Sequence, residues 1–504
     1  MKTSISIVLL SSSLLMACEQ NYNLEMSGNN STSSNKNSAV KLPGDQIDPE
    51  TGLPFRSTRS HTSSENIRSS GGAIHSIING SENSSTQALG GAIHSITNGS
   101  ENSSAQASGG AIHSITNGSE NSSTQASGGA IHSITNGSEN SSGQVSSAIK
   151  CQNTIKICTA EELRRIRLAP EGSYELICDI DMMKEEWQPF HFSGCLNGQN
   201  HSIRNLQLNS AGEQGVGLFS NISHAKLTKL NILQAFVQAK ASAGILAGSI
   251  SYSDLEYIRV EGSVRLAVPS DAFHAGGIAA VFTHSKIRQS SANVEVKGTY
   301  NIGGLFGNAF NSIITESFAC SELTGSNANG AGGLIGSAQN ITLERSYAKS
   351  TILRGSRIGG IIGILSFQNS LMDSFAEGKI EASNNDIGGA MGLVGGGTEM
   401  PGTTMTLERV YSRMTGPGAG RFHGIGKLSK SPVTVHILNS YFDQNRAGPV
   451  LFENEFGAGI TSEDISQISS YEGWNFDNVW ILSTNSSGEI RPVLRALPPE
   501  PCDP

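Results

Sequence analysis

The chain has 504 residues, a formal net charge of −9, 15% charged residues and 58 glycines. Nucleic acid is excluded as a partner, because phosphate binding needs a basic footprint and no Lys/Arg run here exceeds two residues. So little charge and so much glycine also argue against a helical enzyme and for short strands joined by tight turns.

The chain opens with Lys2, the apolar run SISIVLLSSSLLMA and Cys18. This pattern reads as an export signal, too short to span a membrane as a helix. Its end, Leu15-Met16-Ala17-Cys18, resembles the lipobox of bacterial lipoproteins. The resemblance implies a signal peptide over 1–17, lipid on Cys18, and membrane attachment through that lipid. Glu19 stands where an Asp would favour retention at the inner membrane, so the expectation is an outer-membrane, surface-exposed protein of the cell envelope. An ordinary cleaved signal with an incidental cysteine is the alternative.

Six further cysteines, Cys151, Cys158, Cys178, Cys195, Cys320 and Cys502, form an even set in an oxidising compartment, which permits disulfides. Spacing leaves their pairing open, although Cys158 and Cys178 could be neighbours in successive coils. No CxxC pair or nearby His at zinc spacing occurs, so neither a metal site nor a cofactor is expected.

Residues 18–149 are rich in Ser, Asn and Gly, and no Phe, Trp or Tyr occurs between Phe55 and Tyr174. Such a segment buries too little apolar surface to offset the entropy of ordering it, and the expectation is a flexible, low-complexity stalk. Within it, GGAIHSIINGSENSSTQAL at Gly71 returns at Gly90, Gly109 and Gly128, so that the copies cover 71–146. The competing reading stacks each copy as one coil of a small solenoid, with Ile74, Ile93, Ile112 and Ile131 laddered inward and His75, His94, His113 and His132 in register.

Composition changes near Lys150. TIKICTAEELRRIR reads as a strand and then a helix, with Thr159 as N-cap and Glu162 closing a capping box, ended by Pro170. A strand at ELICDIDM follows, then an Asn-Gly turn at Asn197-Gly198. From there a glycine precedes an apolar pair at Gly217, Gly244, Gly277, Gly304, Gly333, Gly360, Gly389 and Gly424, at separations of 27, 33, 27, 29, 27, 29 and 35. A second element keeps the same beat: Ser317-Phe318-Ala319, Ser346-Tyr347-Ala348, Ser374-Phe375-Ala376, Val410-Tyr411-Ser412 and Ser440-Tyr441-Phe442. Periods in the twenties with strand-like patterning predict a solenoid in which each repeat buries its apolar face only against its neighbours. In residues 303–332, GGLFG, IITESFA and SELTG read as three strands of one coil. Coils ~4.8 Å apart would make a rod on the order of 40 Å long. The rings from Phe318 to Tyr441 would then stack, and packing inside the coil is favoured over an outer carbohydrate platform.

Thr159 to Leu163, Asp179 to Asp181, Trp187 with Pro189, and the segment from Asn197 to Leu206 follow the order of elements that opens bacterial GLUG-motif proteins. The Gly-apolar-Gly repeats resemble the GLUG signature itself, and HILNSYFDQNRAG, ITSEDISQISSYEGWNFDNVWIL and IRPVLRAL resemble the family's closing segments. Together the resemblance spans roughly 155–497. It implies an all-β, right-handed parallel β-helix with a short capping helix. The implied organisation is an N-terminal cap and first coils over 150–214, repeats over 215–450, and a C-terminal cap and tail over 451–504. It also implies a surface adhesin that binds a glycan, a matrix protein or another cell.

Candidate chemistry is sparse. No HExxH and no GxSxG occurs. A polysaccharide lyase or hydrolase of the β-helix class is the enzymatic alternative, and a purely structural envelope role is a third. Asp179 and Asp181 would share one side of a strand, with structural hydrogen bonding favoured over acid chemistry. Glu316, Glu344 and Glu408, just before the rings, are expected to be solvated. Arg421, His423 and Lys427 mark a candidate anion patch on a longer loop. With no constellation of acid, base and cation site assembled, no catalytic residue is assigned and the reading leans away from an enzyme.

Overall fold

In the computed structural model the glycine-centred repeats become corners of a parallel β-helix. The structure describes residues 151–210, 215–240, 242–267, 273–325, 329–382, 386–395, 404–417, 422–429, 434–448, 457–498 and 502, together with the backbone of eight strands between 66 and 136. The chain divides into two units, Met1–Val145 and Ser146–Pro504.

In the first unit the eight strands form two parallel sheets. Asn66–Ser70, Ser85–Leu89, Ser104–Ser108 and Ser123–Ser127 make one, and Ile77–Asn79, Ile96–Asn98, Ile115–Asn117 and Ile134–Asn136 the other. Partners lie one 19-residue copy apart, as in Asn66↔Ser85 and Ile77↔Ile96. Pairing at the 19-residue period is what the competing stacked-coil reading of these copies expects. The signal segment, Cys18 and the isoleucine and histidine ladders proposed from Ile74 and His75 onward lie outside the described residues.

The second unit opens with the strand Ile155–Ile157 and the helix Ala160–Arg165, whose Thr159 and Glu162 form the capping box. Two of the opening motifs hold each other. Asp179 accepts hydrogen bonds from the Ser202 N–H (2.9 Å) and from Arg204 (3.5 Å), and it lies 3.3 Å from Nδ1 of His201. Asp181 accepts from the Asn205 amide (2.8 Å) and the Met183 N–H (3.0 Å). These contacts hold the Asp179 and Asp181 carboxyls below the usual range, through the Ser202 N–H first and the Asn205 amide first respectively.

Each following coil has three faces. In one coil they are Asn301–Gly303, Phe306–Phe310, and a broad face made of Ile313–Thr315 and Phe318–Gly325. GGLFG is thus not a strand, as expected, but the corner between two strands. Leu305 sits on the bend and Phe306 opens the next strand, both fully buried. A Cβ on Gly333 would lie 2.6 Å from Cβ of Ala348 and 2.7 Å from Oγ of Ser350, and closer still to the carbonyl oxygen of Gly360 in the next coil. Glycine is needed there because backbone and core meet with no room for a side chain. Gly333→Ala is expected to cost about 1–3 kcal/mol by overpacking, read as a lowered midpoint in thermal unfolding.

The broad face is bent by left-handed residues at Gln289, Glu316, Arg345, Asp373, Arg409 and Asn439. Such backbone costs about 1–3 kcal/mol per non-glycine residue unless its surroundings hold it. At five of the six, all but Arg409, which precedes Val410, the following serine does so. The hydroxyls of Ser290, Ser317, Ser346 and Ser374 each donate to the carbonyl two residues back at 2.8 Å. The N–H groups of Ser290, Ser317 and Ser346 donate to the hydroxyl one coil on at 3.2 Å.

Three disulfides join Cys151 to Cys195, Cys158 to Cys178, and Cys320 to Cys502. The first two fasten the N-terminal coils. The third ties the end of the chain to the middle of the solenoid.

Candidate functional site

Side chains alternate along the broad face. Ala319, Ala348 and Ala376 point into the narrow core, so the rings beside them point out. The expectation that the rings pack inside the coil is therefore corrected: Phe318, Tyr347, Phe375, Tyr411 and Tyr441 line the outer surface. Phe318, Tyr347 and Phe375 form a parallel stack, with centroids 5.0 and 4.8 Å apart and planes within 3° and 7°.

Most of this ladder is nonetheless buried, because the C-terminal segment crosses it as a strap. Ser462–Ile465, a short 3-10 turn and the antiparallel hairpin Trp480–Thr484 with Ile490–Leu494 place Tyr471, Trp474, Trp480 and Leu497 in one apolar cluster with Tyr347, Phe375 and Tyr411. The segment expected to cap the end of the solenoid thus covers its flank. Trp480 Nε1 donates to Asp373 (2.9 Å), and the Tyr347 hydroxyl donates to the Pro498 carbonyl (2.8 Å), with burial pushing that phenol well above its usual range.

Under the hairpin lies a network of three guanidinium groups and three carboxylates. Arg413 bonds Glu377 (3.1 Å), Asp443 (3.4 Å) and Glu489 (3.1 Å), while Arg491 bonds Glu377 (2.9 Å) and Arg446 bonds Glu489 (2.6 Å). The Arg446 guanidinium, with Asn485 and Arg413 adding to it against the opposing effect of burial, holds the Glu489 carboxyl at about 2. A depressed carboxyl stabilises the fold above its unfolded value of about 4.3 and loses that contribution as pH falls through its folded value. The strap is accordingly expected to loosen between about pH 4.3 and pH 2, and Glu489→Gln to flatten that transition. Tryptophan fluorescence reads it, because two of the three tryptophans, Trp474 and Trp480, sit in the strap.

Glu316, Glu344 and Glu408 are not the solvated column expected. Glu316 sits one position later in its coil than the other two, in line with Arg345, and pairs with it at 3.1 Å. Arg345 also meets Glu344 at 3.3 Å, and Arg409 pairs with Glu408 and with Asp373 at 2.6 Å. The anion patch does not assemble either: His423 is buried in a strand, Lys427 pairs with Asp386, and Arg421 lies outside the described residues. Among the described residues no group of three or more His, Cys, Asp or Glu side chains converges as a metal site.

Where the strap ends, a cavity of about 550 Å³ opens on the broad face. The strap residues Ala496, Leu497 and Pro498 form one wall, Tyr257 and Arg259 lie on the far side, and Gln289, Ser291, Asn293 and Phe318 lie between. The carboxylates near it in the chain are engaged by cations: Glu256 by Arg288 (2.5 Å), Glu261 by Arg259 (3.6 Å), and Glu295 by Lys297 and by Arg265 (2.9 Å). Lys297 first and Arg265 next hold the Glu295 carboxyl below its usual value. Sequence reasoning missed this cavity. Its one legible trace is Ser291, which holds the beat of the ring ladder with no ring.

No protein-family model matches the chain. A stretch of 238 residues, 43% of the chain, is 26% identical to the immunoglobulin A1 protease of Streptococcus pneumoniae, and 148 residues, 27% of the chain, are 30% identical to halomucin of Haloquadratum walsbyi. The chain spans 10% of the first protein and 2% of the second. Among solved structures, a protein of Bacteroides ovatus described as a "putative immunoglobulin A1 protease" aligns with 68% of this chain and 93% of its own at 16% identity and a TM-score of 0.33. Another IgA1 protease aligns with 66% of this chain and 25% of its own at 17% identity and a TM-score of 0.42. The similarity to the pneumococcal protease overturns the expectation that leaned away from an enzyme. Of the resemblance drawn from motifs, the β-solenoid is what the structure has. Among the described residues no helix is long and apolar enough to cross a membrane.

Proposed function

We propose that this chain is held at a cell envelope through lipid on Cys18, and that its GLUG-type β-helix engages an extracellular polysaccharide or glycoprotein as part of a hydrolytic activity. The observation that carries the reading is the cavity between Tyr257, Phe318 and the strap. It combines two aromatic rings with guanidinium, amide and hydroxyl groups on a rigid scaffold, the mixture of apolar faces and directed hydrogen bonds that small polar ligands require. The pneumococcal relative is named for cleaving an immunoglobulin, which supports a hydrolytic role on an extracellular macromolecule. The adhesive reading is favoured by the same cavity if it binds and releases its ligand unchanged.

The test incubates the purified chain with extracellular glycoproteins and with polyanionic and neutral polysaccharides. New peptide termini are followed by mass spectrometry, new sugar ends by reducing-end and unsaturated-sugar assays, and retention on immobilised ligand in parallel. Release of fragments supports the hydrolytic reading. Retention with no fragments leaves adhesion as the function. If there is neither, both readings fall.

A further inference from the structure

We propose that the cavity at the end of the outer stack is a saccharide subsite, in which one pyranose ring lies on the open face of Phe318 above Ser291. This rests on the glycan reading given above and assigns it a place and a geometry. Strand register puts Ser291 in line with Phe318 and Tyr347, so it holds the next ring position of the ladder. Ala292 beside it points into the core as Ala319 does, which leaves the Ser291 side chain outward. Rings in this stack repeat every 4.8–5.0 Å, and at Ser291 the repeat lacks its ring. The vacancy is therefore ring-sized, floored by a small hydroxyl and backed by an aromatic face.

The described strap residues do not fill it. Tyr347 holds the Pro498 carbonyl, so Ala496 to Pro498 pass over the stack and stand as a wall beside the gap. On the opposite side Tyr257 is 42% exposed, a second ring able to meet a ligand. Gln289 carries the independent sign of a missing partner: its side-chain oxygen is buried and has no hydrogen-bond partner among the described residues. Leaving such a group unpaired costs about 1–3 kcal/mol, which a turn of the Gln289 amide toward a ligand hydroxyl would recover. Arg259 and Asn293 add donors around the rim.

A sugar fits this better than an aromatic side chain of a partner protein. The negative face of Phe318 attracts the C–H face of a pyranose, and the ring's equatorial hydroxyls point outward to Gln289, Asn293 and Arg259. An aromatic side chain would stack equally well but leave those polar groups desolvated without partners. The cavity volume of about 550 Å³ lies within the range of roughly 300–1,000 Å³ usual for small-ligand sites.

The experiment measures binding of the full exported chain to an oligosaccharide array, followed by titration calorimetry with the best oligosaccharide, for wild type, Ser291→Tyr and Gln289→Leu. Ser291→Tyr writes the ladder one coil further and fills the gap without touching the core. It is expected to lower affinity at least about tenfold, equivalent to about 1.4 kcal/mol, while thermal unfolding stays at or above wild type. Gln289→Leu, which removes the unpaired oxygen, is expected to lower affinity severalfold and guards against misfolding of the tyrosine variant. If wild type binds oligosaccharides and both variants bind as tightly, the subsite is overturned while the glycan reading stands. If wild type binds none on the array, the glycan reading fails and the subsite with it. A Trp- or Tyr-bearing peptide that binds in the cavity in place of any sugar also overturns the assignment.

Discussion

Glu377→Ala is expected to open the strap. Glu377 is 8% exposed and answers two guanidinium groups at once, Arg413 at 3.1 Å and Arg491 at 2.9 Å, which are themselves 3% and 2% exposed. Removing the carboxylate leaves three guanidinium groups facing two carboxylates, one positive charge in excess under the hairpin. Breaking one side of a buried ion pair typically costs about 3–5 kcal/mol, most of it the penalty of an uncompensated buried charge. The chain relieves that charge most readily by lifting the hairpin into water, so the cost is expected as local opening and not as loss of the solenoid. Hydrogen exchange at the Trp480–Thr484 and Ile490–Leu494 amides reads it directly. Protection there should fall by two orders of magnitude or more, while the Phe306–Phe310 and Ile335–Gln339 amides stay as in wild type. Replacing Glu377 and Arg491 together by apolar residues should restore most of the protection, because it leaves Arg413 and Arg446 matched by Asp443 and Glu489. Equal protection in wild type and the single variant would show that the network does not hold the strap.

The solenoid was legible because its cause is local and repeated. Each glycine corner is required by a close approach between neighbouring coils, so Gly304, Gly333 and Gly360 recur at the coil period and announce it. The capping box at Thr159 is likewise decided by adjacent residues, and the turn expected at Asn197-Gly198 falls just after it, where Gln199 and Asn200 take left-handed backbone. The direction of the rings was also written in the chain, in the alanine that follows Phe318, Tyr347 and Phe375. A narrow coil interior accepts that methyl and not a ring, yet rings exposed on a surface are costly, and this argued for the core. What resolves the conflict is a segment more than a hundred residues away, as in the bond from Trp480 to Asp373. Periodicity carries no information about such a contact. The pairing of Cys320 with Cys502 and the cavity at Ser291 escaped for the same reason, since each exists only once the strap has been laid along the broad face.

Trp480→Ala separates the two ways in which the strap is held. Trp480 is fully buried, packs on Trp474 at 4.2 Å and on Phe375 at 6.1 Å, and donates its indole N–H to Asp373. Its loss removes a large apolar group from the interface and leaves a cavity over the stack, for which about 3–5 kcal/mol is the usual cost. The substitution leaves every charge in the network matched, so the acid-dependent loosening assigned to Glu489 should persist from a lower starting stability. Cys320–Cys502 still tethers the end of the strap to the solenoid, and an opened strap therefore recloses without diffusing away. Exposed Tyr347, Phe375 and Tyr411 should then bind an environment-sensitive apolar dye that wild type excludes. Reducing agent added to this variant should make the dye signal larger and slower to reverse, because the tether no longer limits how far the segment departs. A variant that excludes the dye as well as wild type does would place the holding force in the ion network alone.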